Sequence, residues 1–167
     1  MKIPHFIVLF VILFCSFSGY SQKRKFEFPS FDVVRSGPYI GWQKGIYNNI
    51  ELGYEKQWKD LKLFRSQTTA IFGGLNYNLV NGVIGEDIGV WRKLGILGFT
   101  YGISLNHRTN FTFHKVGFSP MIGLKVGRFH CHTGYQFLFP NNKEDGVNDF
   151  FVSLRFKIWS TKKIVKN

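Results

Sequence analysis

From residue 37 onward bulky apolar side chains recur at every second position, with small or polar ones between them. In Leu97 to Asn106 the first set is Leu97, Phe99, Tyr101, Ile103 and Leu105, and the second is Gly98, Thr100, Gly102, Ser104 and Asn106. A period of two predicts a β-strand, because successive side chains of a strand leave opposite faces. "YIGWQKGIY" sets Ile40, Trp42 and Ile46 against Gly41, Gln43 and Gly45, and "IELGYEKQW" sets Ile50, Leu52, Tyr54 and Trp58 against Glu51, Gly53, Glu55 and Gln57. A turn at Asn48-Asn49 would join them into a hairpin. "TTAIFGGLNYNL" follows with Ile71, Leu75, Tyr77 and Leu79 against Ala70, Phe72, Gly74, Asn76 and Asn78. Asn81-Gly82 then predicts a tight type I′ hairpin turn.

Val83 to Trp91 is the least regular run. Glu86 falls on the face of Ile84, Ile88 and Val90, which predicts a bulge or a strand end. "KVGFSPMIGLKV" alternates Val116, Phe118, Pro120, Ile122, Leu124 and Val126 with Lys115, Gly117, Ser119, Met121, Gly123 and Lys125, and Pro120 predicts a local irregularity because it has no N–H for the ladder. "HCHTGYQFLF" sets Cys131, Thr133, Tyr135, Phe137 and Phe139 against His130, His132, Gly134 and Gln136. "FFVSLRFKIW" sets Phe150, Val152, Leu154, Phe156 and Ile158 against Phe151, Ser153, Arg155, Lys157 and Trp159.

About eight strands joined by turns predict an antiparallel up-and-down barrel. The sizes of the two faces decide which one lines the interior. An eight-stranded barrel has room inside only for side chains, so an interior of Ile, Leu, Phe, Tyr and Trp would be overfilled, whereas small and polar residues fit. The expected fold is therefore all-β, a transmembrane barrel with its apolar face on lipid. The lipid-facing set would include Ile40, Trp42, Leu52, Tyr54, Leu97, Phe99, Tyr101, Ile103, Phe118, Ile122, Tyr135, Phe137, Val152, Leu154 and Phe156. The alternative is a secreted soluble barrel with its apolar face inward on an apolar ligand. Composition favours a β-protein: 18 Gly and 19 Phe in 167 residues suit neither a helical bundle nor a disordered chain.

"MKIPHFIVLFVILFCSFSGYSQ" has a short polar start with Lys2 and His5, an apolar run from Phe6 to Phe14, and small Gly19 and Ser21 before Gln22. Residues 1–21 are expected to be a signal peptide. The organisation that follows is a lead-in over 22–36, a barrel over 37–159 and a basic tail over 160–167. Cleavage would leave Cys131 as the sole cysteine, without a disulfide partner. The net charge of +12 follows no nucleic-acid-binding motif, and in an exported chain anionic membrane lipids are the natural partner.

With these segments in view, the chain resembles the small eight-stranded outer-membrane barrels of diderm bacteria. The resemblance spans the signal peptide and Gly37 to Trp159. Its most specific part is "FVSLRFKIW", which looks like the C-terminal strand that such proteins present to the outer-membrane assembly machinery, with aromatic Phe156 and Trp159 near its end. The chain departs from that pattern by continuing into "STKKIVKN". The resemblance implies an outer-membrane location, contact with membrane lipids and with the assembly machinery, no nucleic-acid partner and a monomer.

Inward-facing charges would include Glu51, Glu55, Asp87, Lys115, Lys125, Arg155 and Lys157, with His130 and His132 beside them. Buried charges must pair, so a luminal ion-pair network is expected, with the strand-end charges Glu51, Lys125 and Lys157 alternatively in water. Glu55 has no cation on the inward face of its own hairpin. Arg155 and Lys157 would reach it across the closure. His130-x-His132 places two imidazoles on one face without a third ligand, so no metal site or cofactor is expected. His107 and His114 flank "RTNFTF" as interfacial polar residues, and Asn110-Phe111-Thr112 matches a glycosylation acceptor only formally. Lipid hydrolysis would draw on His132 with Thr133, or Ser153 with Glu55, but neighbours on a strand point apart and no nucleophile motif is present. The expected role is structural or interactive and non-enzymatic, with a lipid-modifying enzyme as the alternative.

Overall fold

The computed structural model describes residues 33–60, 67–95, 98–140 and 146–164, and these residues contain strands and turns but no helix. The strands are β1 (Val33–Lys44), β2 (Asn48–Asp60), β3 (Gln67–Asn78), β4 (Ile84–Leu94), β5 (Phe99–Thr109), β6 (His114–Val126), β7 (Phe129–Tyr135), β8 (Phe137–Phe139), β9 (Phe150–Lys157) and β10 (Thr161–Ile164). Each pairs antiparallel with its sequence neighbour from β1 to β7, β9 pairs with both β7 and β1, and the sheet is thereby closed. β7 and β8 form one stave interrupted at Gln136, and β9 and β10 form another, so the barrel has eight staves.

The staves are staggered. Following ladder partners from Val152 through Thr133, Ile122, Tyr101, Arg92, Thr69, Trp58 and Val34 leads back to the starting stave at Lys163. Such a shift tilts the strands and sets the bore, which for eight strands leaves space for side chains alone. Val33, Ile164 and the ends of β2, β4 and β6 lie at one end of the barrel. The turns after β1, β3 and β5 and the connection after β8 lie at the other.

Several local expectations are corrected. The sheet begins at Val33 and not at Gly37, and it continues past Trp159, because Thr161–Ile164 pair with Val33–Ser36. The two pairings are separated by a bulge: between Tyr39↔Lys157 and Ser36↔Thr161, Gly37 and Pro38 face Ile158, Trp159 and Ser160. Pro38 has no N–H to offer the ladder there, and a side chain at Gly37 would collide with the Trp159 carbonyl oxygen. The first turn is Gly45–Tyr47, and Asn48 and Asn49 already belong to β2.

Asn81-Gly82 does not form a two-residue turn. Asn78 Oδ1 accepts from the N–H groups of Val80 and Asn81 at 2.8 and 3.1 Å, and Gly82 alone takes a positive φ of 64°, so the connection is a five-residue loop capped by a side chain. β4 carries no bulge at Glu86, since its ladder to β3 and β5 is unbroken. The unevenness of the sequence there reflects a position near the rim, where a polar residue faces out. The irregularity expected at Pro120 is present on one side only: its pairing with β5 is intact, whereas the ladder of β6 to the other neighbour breaks between Met121↔Gly134 and Phe118↔Phe137, where the Gln136 N–H turns to the Asp149 carbonyl at 2.6 Å.

The expected signal peptide over 1–21, most of the expected lead-in, Leu97, the centres of the two longest connections and the end of the basic tail lie outside the described residues.

Candidate functional site: the luminal network

Three carboxylates organise the interior, Asp87 and Glu51 toward the turn end and Glu55 nearer the termini. Asp87 on β4 accepts from Arg108 Nη1 at 2.7 Å and from Asn76 Nδ2 at 2.7 Å, and also from Nδ2 of Asn106, whose Oδ1 accepts from Ser119 Oγ. On β2 Glu51 Oε2 accepts from Arg155 Nε at 2.7 Å and Ser153 Oγ at 3.1 Å. Nearer the termini Glu55 Oε1 takes Lys157 Nζ at 3.0 Å and Lys125 Nζ at 3.3 Å, and Oε2 accepts from Trp91 Nε1 at 2.8 Å. Gln57 Nε2 adds a further bond to Glu55.

Glu51, Glu55, Lys125, Arg155 and Lys157 are all buried, which settles the strand-end alternative: they lie inside and not in bulk water. Of the two cations expected to reach Glu55 across the closure, Lys157 does and Arg155 does not. Arg155 pairs with Glu51, because Gly41 is the ladder partner of both and leaves the space between them open, and Lys125 is the second cation on Glu55. Lys115 is buried, with its ammonium 5.8 Å from the centroid of the Phe113 ring. His130 Nε2 lies 3.0 Å from Thr100 Oγ1, and its ring sits 5.0 Å from that of Trp91 and 4.9 Å from that of His132. Neither nitrogen of His132 has a partner among the described residues.

The interior is also more aromatic than expected. Tyr39, Phe72, Trp91 and Phe151 point inward with Ala70 and Met121. The Arg155 guanidinium lies 4.4 Å from the centroid of the Phe72 ring and 4.9 Å from that of Tyr39, and Lys125 Nζ lies 4.9 Å from that of Trp91. These faces supply cations with partial negative charge where a second carboxylate is lacking. Arg108 was missed by sequence reasoning. Its signal was present, since it continues the inward phase of Ser104 and Asn106 by one more step, but it sits in a stretch that reads as a turn.

The turn end is covered from inside the fold. Asn148 is buried, accepts from the Tyr47 N–H at 2.7 Å and donates to the Tyr47 carbonyl at 2.9 Å, so its amide acts as a strand edge for the first turn. The Gly146 carbonyl accepts from Asn78 Nδ2 at 2.7 Å. The last connection is thereby tied to two hairpins.

The outer surface is the converse. Ile40, Trp42, Leu52, Tyr54, Phe99, Tyr101, Ile103, Phe118, Ile122, Tyr135, Phe137, Val152 and Leu154 are all exposed, and Phe156 points out but is half-covered by Phe129, with ring centroids 5.0 Å apart. Glu86, His107 and His114 form a polar outer cluster near the turn end, with the two imidazoles stacked at 5.6 Å and His107 Nδ1 3.3 Å from Glu86 Oε2. The materials considered for hydrolysis are not assembled: Ser153 is committed to Glu51, not Glu55, and Thr133 Oγ1 donates to the Phe151 carbonyl. Among the described residues no group of three His, Cys, Asp or Glu is arranged to hold a metal ion. Compared with protein-family models and with curated proteins, the chain matches none.

Proposed function

We propose that this protein is an outer-membrane barrel of a diderm bacterium, with a closed lumen and a structural or interactive role in the cell envelope. The observation that carries the reading is the exposure of large apolar side chains on every stave, from Ile40 on β1 through Ile103 on β5 to Leu154 on β9. Soluble monomers rarely expose contiguous apolar patches beyond a few hundred Å². A belt of this kind set against a charged interior is the arrangement a bilayer requires. The soluble alternative is poorly supported, since the luminal wall carries carboxylates, amides and ammonium groups in place of an apolar ligand surface.

The role follows from the filled bore. Tyr39, Phe72, Trp91 and the Arg155–Glu51 pair occupy the middle of the barrel, which leaves little path for solutes. Envelope interactions would then be made by its rims and outer belt. Fractionation with heat-modifiable gel mobility tests the membrane reading: the protein should stay with the outer membrane through detergent-free washing and migrate differently before and after boiling. Release into the soluble fraction by washing alone would overturn it. Large steady conductance in a planar bilayer would overturn the closed lumen.

A further inference from the structure

We infer that the mouth of the barrel at its terminal end binds a soluble anion bearing several phosphate groups. Cations enter this mouth from β1, β2, β4, β6, β9 and β10. Arg35, Lys59 and Lys93 occupy the inward phase of their strands, each two positions from a buried inward residue, Val33, Gln57 and Trp91 respectively. Lys162 is the ladder partner of Arg35 and so shares its face. Arg35, Lys93 and Lys162 all act coulombically on Lys59, which places the four within one field. Thr68, the ladder partner of both Lys59 and Lys93, adds a hydroxyl between them. Deeper in the bore Lys125 and Lys157 share the single carboxylate of Glu55.

At this mouth six cations in the luminal phase stand with two described carboxylates, Glu55 and Asp60. Among the described residues Glu51 and Asp87 are taken by Arg155 and Arg108, Glu86 faces outward beside His107, Asp149 belongs to the opposite end, and Asp60 ends β2 one position past Lys59. Arg35, Lys59, Lys93 and Lys162 form no ion pair with Glu51, Glu55, Glu86, Asp87 or Asp149. Four like charges held together by a rigid wall repel one another until an anion enters, and a concave site lined by one sign of charge concentrates its counter-ion. Several ammonium donors with one forked guanidinium match tetrahedral phosphate oxygens better than a lone carboxylate.

A soluble ligand is favoured over a lipid headgroup by direction. The four side chains occupy the luminal phase, with the strands between them and anything outside, whereas the exposed cations Lys56, Arg92 and Lys163 take the outward phase toward the same end and exposed Arg128 lies in the turn between β6 and β7. The inference concerns the bore and does not depend on what covers the outer belt.

The test is calorimetry of inorganic tripolyphosphate with the folded full chain in zwitterionic micelles. Saturable binding is expected, weakened by added salt. Lys59→Gln with Lys93→Gln should weaken it by about tenfold or more, equivalent to about 1.4 kcal/mol. Lys44→Gln, an exposed cation beside the first turn at the opposite rim, should leave it unchanged. Heat-modifiable mobility of each variant establishes that the barrel has formed. Absence of saturable binding, or equal affinity in the folded double variant, would overturn the inference. Loss of tripolyphosphate binding in lipid discs containing phosphatidylglycerol, but not in phosphatidylcholine discs, would reassign the mouth to headgroups and overturn the soluble ligand.

Discussion

Arg155 and Glu51 meet across the seam of the barrel, Nε to Oε2 at 2.7 Å, joining the last stave to the second strand over the glycine that separates them. Their side chains pass above Gly41, where a Cβ would lie 2.8 Å from Glu51 Oε2 and 3.0 Å from Arg155 Cγ. Closure and charge neutralisation are therefore one contact.

Removing one member of this pair strands the other in the bore. Glu51→Gln is expected to destabilise by about 3–5 kcal/mol, and Arg155→Met in the same background should recover part of that loss. Denaturant unfolding of the refolded single and double variants gives the coupling energy. Glu55→Gln should couple to Lys125→Met and Lys157→Met more strongly than to Arg155→Met. The opposite order would reassign the pairs.

Gly41→Val tests the gap itself. Its side chain would displace the Arg155–Glu51 contact without removing any charge, so the expected loss is at least about 1–3 kcal/mol, the range for overpacking a filled interior. Unfolding midpoints of Gly41→Ala and Gly41→Val, compared with the parent, should fall in order of size. Equal midpoints for all three would mean that the pair does not depend on this space.

Position along the staves sets the cost of an outward charge in the proposed bilayer. Ile103 lies at the middle of β5 and Phe99 begins it. Ile103→Arg should therefore cost about 2–4 kcal/mol and impair insertion, whereas Phe99→Arg, nearer the interface, should cost about 0–1 kcal/mol. Folding yield into vesicles measures both. Equal tolerance at the two positions would contradict a lipid-facing belt.

Asn148 ties the last connection to the first turn by two backbone hydrogen bonds. Asn148→Ala leaves the Tyr47 N–H and carbonyl without those partners, at a cost of about 1–3 kcal/mol for a buried group. Limited proteolysis should cut within 140–149 sooner in the variant while the barrel core stays intact. An unchanged cleavage rate would show that the connection is held by other contacts.

Alternation along the chain was enough to assign the two faces, because a strand offers each side chain only two directions and a shift of one residue would turn every charge outward. For the same reason Glu51, Glu55, Lys125 and Arg155 were legible as inward residues from spacing alone. Phe72, Met121 and Phe151 were legible in phase too, although their bulk ran against the rule of small residues inside. Tyr39, Trp91 and Arg108 shared that phase but stood beside turn-like or irregular stretches that hid it.

Pairing between distant staves was not legible. Whether Arg155 meets Glu51 or Glu55 depends on the stagger accumulated around eight staves and on the bulge opposite Gly37 and Pro38, and no local pattern records either. Turn geometry escaped for a related reason: Asn81-Gly82 has the chemistry of a tight turn, yet the side chain of Asn78 captures two backbone N–H groups and stabilises a longer loop. The basic mouth is likewise a product of pairing, since Arg35, Lys59 and Lys93 come together through the ladders from β1 to β4 and Lys162 joins them only when the last stave pairs with the first. Sequence determined the direction of each side chain through the two-residue period of the backbone, and tertiary structure decided which charges meet, because ring closure converts a register into a set of distances.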